Sequence, residues 1–260
     1  MAEEHPLKPF YSVLILAFVC SALVAGAAVG LRPMQEANKT LDQKKNILYA
    51  AGLFDKTKSI EEMFAPIETK VVDLATGRFV TKDVVDPATF KQARAAFTDE
   101  FGLSLTSEED IAKIKRLEKY SVVYLVKNDG KTEQVILPVR GKGLWSTMFA
   151  YVSLDADMST IRGVSFYEHG ETPGLGGEIE NKSWQKSWQE KQIYSDSGDV
   201  ALGFSKGKSS ASGNAAIYEI DGLSGATLTT KGVDNLMEFW FGDHAFKPFI
   251  TAMKKENSNG

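Results

Sequence analysis

The sequence is organised around ten residues, Asp221-Gly222-Leu223-Ser224-Gly225-Ala226-Thr227-Leu228-Thr229-Thr230. The stretch is small and rich in hydroxyl groups, and a segment with apolar residues at helical spacing follows it. This pattern predicts a loop that leads into an amphipathic helix over residues 232–241. Because a helix start favours an anion, the functional interpretation is a phosphate beside the Thr227 hydroxyl, and the structural alternative is an ordinary capped turn.

The composition excludes several classes of protein. The 260 residues are 43% hydrophobic and 25% charged, as in a globular protein, and the net charge of −4 gives no basic footprint for nucleic acid. The single cysteine, Cys20, excludes a disulfide or a cysteine-based metal cluster within the chain. The three histidines, His5, His169 and His244, form no close-spaced ligand set, so we predict no metal site.

Residues 1–35 are predicted to be a polar tail and a transmembrane anchor. The segment from Pro9 to Leu31 has no charged residue, and about 20 apolar residues suffice to cross a bilayer as a helix. A removed signal peptide is the alternative, with small residues at 25–27 as its cleavage site. The run is longer than the roughly 7–15 residues of a signal-peptide core, and Glu3 and Glu4 precede it, which favours an uncleaved anchor.

The rest of the chain is predicted to have an α+β fold with an antiparallel sheet, because hairpins and short helices alternate irregularly. We expect a membrane-proximal lobe over residues 36–135 and a second lobe over 136–260. The predicted strands are 69–72, 78–81, 120–127, 133–139, 149–154, 160–169 and 215–220. The predicted helices before residue 232 are 36–53, 59–64, 87–97, 107–114 and 181–188.

Two further segments are rich in glycine. One is Val139-Arg140-Gly141-Lys142-Gly143-Leu144-Trp145, and the other is Glu168-His169-Gly170-Glu171-Thr172-Pro173-Gly174-Leu175-Gly176-Gly177. Glycine-rich loops let backbone N–H groups approach a ligand closely. His169 could act as a general acid in the second loop, but we expect it to be a solvent-facing residue at a strand end.

The three segments together resemble the motifs of a family of FMN-binding proteins found in two respiratory complexes. The two complexes are the sodium-translocating NADH:quinone reductase and the related Rnf electron-transport complex, and each contains one such protein. The resemblance implies that FMN is attached to Thr227 through a phosphoester bond. It further implies cofactor contacts from Asp221, Ser224, Gly225, Ala226, Trp145, Glu171, Thr172, Gly174 and Leu175. Lys206 is our additional candidate for neutralising the flavin phosphate, and we expect the Thr227 loop to meet the loop over residues 171–177.

The resemblance also implies a function for the whole chain. It would relay electrons as one component of an NADH:quinone reductase without catalysing the reaction alone. Its partners would be the other membrane subunits and a Mg-dependent flavin transferase that uses FAD, with Asp221 serving the transferase. The location would be the bacterial inner membrane, with a single span and the bulk of the chain in the periplasm. The longer lobe over residues 36–135 favours the reductase over the Rnf complex.

Several alternatives stay open at this point. The cationic residues after the span, Arg32, Lys39, Lys44 and Lys45, outnumber Lys8 before it, which favours a cytoplasmic location instead. A non-redox anchored scaffold is a rival function. The stretch around Ser224 lacks the full G-x-S-x-G pattern of a serine hydrolase, and residues 203–209 are one residue short of a phosphate-binding P-loop.

Overall fold

The computed structural model describes residues 7–259, with side chains as far as Asn257; residues 1–6, which include Glu3, Glu4 and His5, and Gly260 lie outside the described part. Two compact units are present, residues 1–43 and 44–260. The helices are α1 (Lys8–Ala50), α2 (Ile60–Phe64), α3 (Gln92–Ala95), α4 (Lys182–Lys186), α5 (Thr227–Phe241) and α6 (Lys247–Asn259). The strands are β1 (Ile67–Asp73), β2 (Arg78–Val80), β3 (Gly102–Ser104), β4 (Arg116–Glu118), β5 (Tyr120–Asn128), β6 (Lys131–Lys142), β7 (Thr147–Asp155), β8 (Ile161–Glu168), β9 (Gly203–Phe204) and β10 (Glu219–Ile220).

Helix α1 is a single element of 43 residues. Its most apolar window of 18 residues has a mean hydropathy of 2.5 and is entirely exposed, so the helix is long and apolar enough to cross a membrane. The separate helix predicted over residues 36–53 is therefore wrong in its start. Residues 34–43 consist largely of good helix formers, and they continue the apolar helix without a break.

A six-stranded antiparallel sheet forms the centre of residues 44–260, with the strand order β2-β1-β5-β6-β7-β8. The predicted hairpin between β5 and β6 is present, and Asp129 and Gly130 at its turn have φ angles of 48° and 80°. The short pairs β3-β4 and β9-β10 lie outside this sheet, and β9-β10 is parallel. The prediction of an α+β fold with an antiparallel sheet is confirmed.

Both faces of the sheet are covered. Leu137 on β6 belongs to a core shared with Leu236 and Trp240 of α5, whereas the adjacent residue Ile136 belongs to a second core with Leu48 near the end of α1. This division follows from the two-residue period of a strand. The indole N–H of Trp240 donates to the Arg140 carbonyl oxygen at 2.6 Å, which fixes α5 across β6.

Several predicted elements differ in the structure. The helix predicted over 107–114 is absent, because the Asp110 carboxylate accepts the N–H groups of Ile114 and Lys115 and diverts them from a helix. The helix predicted over 87–97 is reduced to α3, and the strand predicted over 215–220 is a 3₁₀ helix followed by β10. Helix α6 was not predicted.

The predicted division at residue 135 remains a prediction about modules. Strand β6 runs through that position, and the sheet contains strands from both sides of it.

Candidate functional site

The start of α5 is a helix N-terminus without a side-chain cap. Ala226 occupies the cap position and has no side-chain acceptor, and the first N–H within the helix, that of Thr230, bonds the Ala226 carbonyl at 2.9 Å. The N–H groups of residues 227–229 bond none of the described residues. Unpaired N–H groups at the positive end of a helix dipole form an anion-binding site.

The three threonines at this helix start have different environments. Thr227 is exposed, and its hydroxyl bonds no group in the part of the chain that the structure describes. Thr229 is 1% exposed and donates to Glu171 Oε2 at 2.7 Å. Thr230 is 6% exposed, and its hydroxyl accepts the Leu223 N–H at 3.0 Å. Only Thr227 therefore presents a free hydroxyl beside the unpaired N–H groups.

Glu171 joins this helix start to the turn between β6 and β7. Its Oε1 accepts the N–H groups of Trp145 at 2.9 Å and Ser146 at 3.1 Å, and its Oε2 accepts the Leu144 N–H at 3.1 Å and the Thr229 hydroxyl. Burial by itself would raise the pKa of the Glu171 carboxyl. The bonds from Thr229 and the three N–H groups outweigh burial and hold that pKa below its ordinary value. Glu171 is therefore a charged, fully bonded group.

Glycines allow these segments to approach. A Cβ at Gly143 would lie 2.6 Å from Glu171 Oε1, and one at Gly176 would overlap the Thr229 hydroxyl. A Cβ at Gly225, which has a φ of +72°, would lie 3.2 Å from the Leu175 side chain. The Thr227 loop and the loop over residues 171–177 therefore meet, as the sequence predicted.

Large apolar side chains are exposed on all three segments. The exposed fractions are 44% for Leu144, 67% for Trp145, 46% for Leu175 and 63% for Leu228. Such a group around a polar anion site is suited to a ligand with an apolar ring system and a phosphate.

Asp221 and the loop that includes Lys206 lie against each other. Asp221 Oδ1 accepts the Ser209 N–H at 2.8 Å, and the Gly222 N–H donates to the Gly207 carbonyl at 2.8 Å. Lys206 itself is exposed, as are Ser224, Thr172 and Gly174. The structure thus places the Lys206 loop next to the attachment loop, and the roles of these residues stay predictions.

His169 is not solvent-facing, contrary to expectation. Its side chain is 9% exposed, its Nδ1 accepts the Glu171 N–H at 3.1 Å, and its Nε2 lies 3.0 Å from Glu180 Oε1. It borders a cavity of about 400 Å³ that Glu171 and Glu180 also line. His169 orders the loop over residues 171–177 because it accepts the N–H of the residue at the centre of the site.

The sequence analysis missed Thr229 and Ser146. Thr229 precedes Val233 by four residues and Leu236 by seven, so it lies on the buried face of α5, where a hydroxyl requires a partner. A helix predicted to begin at 227 rather than 232 would have revealed it. Ser146 Oγ accepts the Gly170 N–H at 2.6 Å, and no pattern in the sequence indicates that contact.

The fold and the site define a flavin-binding class of protein. The sequence profile of the FMN-binding domain family matches residues 143–242, a range that includes the β6-β7 turn, the loop over 171–177 and the start of α5.

Whole-chain comparisons specify the family. The NqrC subunit of the Na(+)-translocating NADH-quinone reductase of Pseudomonas aeruginosa is 44% identical over 97% of this chain and 98% of that protein. The NqrC subunit of Haemophilus ducreyi is 45% identical over 93% and 92%. The solved structure of Shewanella oneidensis NqrC matches with a TM-score of 0.75 at 34% identity, over 84% of this chain and 99% of that one. The chain belongs to the NqrC family of Na(+)-translocating NADH-quinone reductase subunits, which confirms the resemblance found in the sequence.

Proposed function

We propose that this protein is the FMN-carrying subunit of a Na(+)-translocating NADH-quinone reductase and that its flavin is attached to Thr227 by a phosphoester bond. The observation that supports this proposal most is the exposed, unbonded hydroxyl of Thr227 at the uncapped start of α5. FMN supplies reversible electron transfer when bound, and the chain holds and orients it.

The residues present fit FMN. The free N–H groups of α5 would receive the phosphate, and Lys206 would add a positive charge from the adjacent loop. The exposed side chains of Trp145, Leu175 and Leu228 would contact the apolar part of the ring system and exclude water from it.

Attachment requires help from outside the chain. Thr227 Oγ would form a bond to the phosphorus of the FMN half of FAD, AMP would leave, and the hydroxyl proton would be released. A threonine needs activation for this step, and among the described side chains no carboxylate or imidazole bonds the Thr227 hydroxyl. A separate Mg-dependent flavin transferase would therefore supply the activation. Asp221 keeps its second carboxylate oxygen available to that enzyme.

The test is flavin fluorescence after denaturing electrophoresis, with the chain co-expressed with a flavin transferase. We expect a fluorescent wild-type band, a mass increase on Thr227, and neither in Thr227→Val. Because Thr227 is exposed and unbonded, the variant should fold normally. Thr251→Val, at an exposed threonine on α6, is the matched control and should stay fluorescent.

Other outcomes would contradict the proposal. Two dark bands with an active transferase would leave a non-redox anchored scaffold as the function. Fluorescence in both would move the attachment away from Thr227. Labelling by a serine-directed probe would favour a hydrolase at Ser224.

The proposal extends to location and assembly. Residues 9–31 of α1 would anchor the protein in the inner membrane by one span, next to the other membrane subunits of the complex. The remainder would lie in the periplasm as a membrane-proximal lobe over 36–135 and an FMN-binding domain over 136–260. Labelling of Ser212→Cys, at an exposed position, by an impermeant maleimide in intact cells tests this orientation, and protection of that cysteine would favour the cytoplasm. The protein would relay electrons but would not reduce quinone alone.

A further inference from the structure

The Glu171 carboxylate has no capacity left for a ligand. A carboxylate offers about four acceptor positions. In Glu171 these are used by three backbone N–H groups of residues 144–146 and by the Thr229 hydroxyl. The residue is only 5% exposed. A bound flavin would therefore have to displace an existing bond in order to contact this carboxylate.

The surrounding packing also fixes the carboxylate in place. Gly143 lies against Oε1, where a Cβ would come within 2.6 Å, and Gly176 lies against both Oε2 and the Thr229 hydroxyl. Glu171 is thus held between the β6-β7 turn and the first turn of α5. Any shift of its side chain would move one of these two segments relative to the other.

The first turn of α5 depends on contacts from outside the helix. Its cap residue, Ala226, provides no side-chain bond. Thr229 is bonded to Glu171 on one side, and Thr230 is bonded to the Leu223 N–H on the other. Thr227 lies two residues before Thr229 in the same turn, so the bond between Glu171 and Thr229 determines the direction of the Thr227 hydroxyl relative to Trp145.

We propose that Glu171 is a positioning residue that does not contact the flavin and that acts through Thr229 to hold Thr227 and the Trp145 turn in the arrangement that flavin attachment requires. This inference rests on the proposed function. It differs from the expectation that Glu171 is itself a cofactor contact, and it assigns Thr229 a role that the sequence did not indicate.

The test measures the initial rate of flavin attachment to the full chain in detergent, with purified flavin transferase, FAD and Mg²⁺. Thr229→Val removes the hydroxyl and keeps the shape of the side chain, whereas Thr229→Ser keeps the hydroxyl. We expect attachment to be roughly ten- to a hundredfold slower in Thr229→Val, because small misplacements of a reacting group have effects of that size. Thr229→Ser should restore the wild-type rate, and Thr251→Val should match it.

Stability is measured separately, so that slow attachment is not confused with unfolding. Each variant is assayed at a temperature well below the midpoint of its own melting curve. If Thr229→Val is unfolded at every practical temperature, Glu171→Asp replaces it. That change keeps the charge and shortens the reach by one methylene, and it should also slow attachment.

The outcomes separate this inference from the proposed function. A wild-type chain that never acquires flavin at Thr227 overturns the proposed function. A wild-type chain that does acquire it, together with folded Thr229→Val or Glu171→Asp chains that acquire it equally fast, overturns the positioning role alone. Failure of Thr229→Ser to restore the rate would also count against that role, because the bond itself would then not be the cause.

Discussion

At the scale of single residues, a buried charge is tolerated in this protein because it is completely hydrogen bonded. Burying an unpaired carboxylate would cost several kcal/mol, whereas Glu171 receives four donors from two separate segments. Asp110 and His169 act in a similar way on a smaller scale, since each accepts backbone N–H groups that would otherwise have no partner.

The lowered pKa of Glu171 makes its contribution to stability depend on pH. A carboxyl whose folded pKa lies below its unfolded value stabilises the fold above the unfolded pKa, and this effect is lost as pH falls through the folded pKa. Glu171→Gln should lower the free energy of unfolding by about 2–4 kcal/mol at pH 7. The difference from wild type should shrink once pH falls below about 4.5. Urea unfolding at several pH values, followed by tryptophan fluorescence, measures it.

Glu108→Gln is the control for this experiment, because Glu108 is exposed and has no bond to the described residues. It should leave the free energy of unfolding unchanged at every pH. A difference between Glu171→Gln and wild type that stays constant down to pH 3 would show that charge is not the source of the stabilisation.

At the scale of elements, α5 is placed by close backbone contact as well as by its apolar face. Gly232 lies on its buried side, where a Cβ would come within 2.5 Å of the Lys142 carbonyl oxygen and 3.1 Å of Gly143 Cα. Both neighbours are backbone atoms of the turn that Glu171 holds, so neither can move without disturbing the site. The helix therefore uses glycine at an interior position despite its low helix propensity.

We expect Gly232→Ala to destabilise the protein even though alanine is the better helix former. The gain in helix propensity is about 1 kcal/mol, whereas overpacking against backbone costs typically 1–3 kcal/mol. The net loss of about 1–2 kcal/mol should lower the melting temperature by about 2–8 °C for a domain of this size. Circular dichroism on heating measures the shift. A higher melting temperature would mean that the turn can yield, and Thr251→Ala on the exposed side of α6 should change little.

At the scale of the whole molecule, α1 contributes to two different environments. Its apolar part is exposed, whereas Ile47 and Leu48 near its end are 1% and 0% exposed and belong to the core of residues 44–260. Asn46 also accepts the Ser165 hydroxyl on β8 at 2.9 Å. The end of the helix is therefore part of the folded domain, although it is continuous with the candidate membrane span.

Truncation at two positions should separate these roles. A chain that begins at Asn38 lacks the apolar segment and should be soluble, with a cooperative melting curve. A chain that begins at Gly52 also loses Ile47 and Leu48, at about 2–5 kcal/mol each, which approaches the whole stability of a typical domain. It should not unfold cooperatively. Membrane fractionation and thermal melts measure both effects, and equal stability of the two fragments would contradict this assignment.

The sequence by itself determined the features that depend on neighbouring residues. The length and hydropathy of residues 9–31 predicted the membrane-spanning candidate, alternation and the Asp129-Gly130 turn predicted the central hairpin, and three local motifs indicated the family. Each of these signals lies within a window of about 20 residues or fewer, where chain geometry alone relates pattern to structure.

Only the tertiary structure decided how the site is held together. Glu171 and Thr229 are 58 residues apart, and Glu171 and the Leu144 N–H are 27 apart, so no local pattern indicates either bond. The start of α5 at Thr227 and the missing helix at 107–114 have the same explanation. In both places, bonds from side chains or distant segments, rather than local propensity, determine where the backbone N–H groups find their partners.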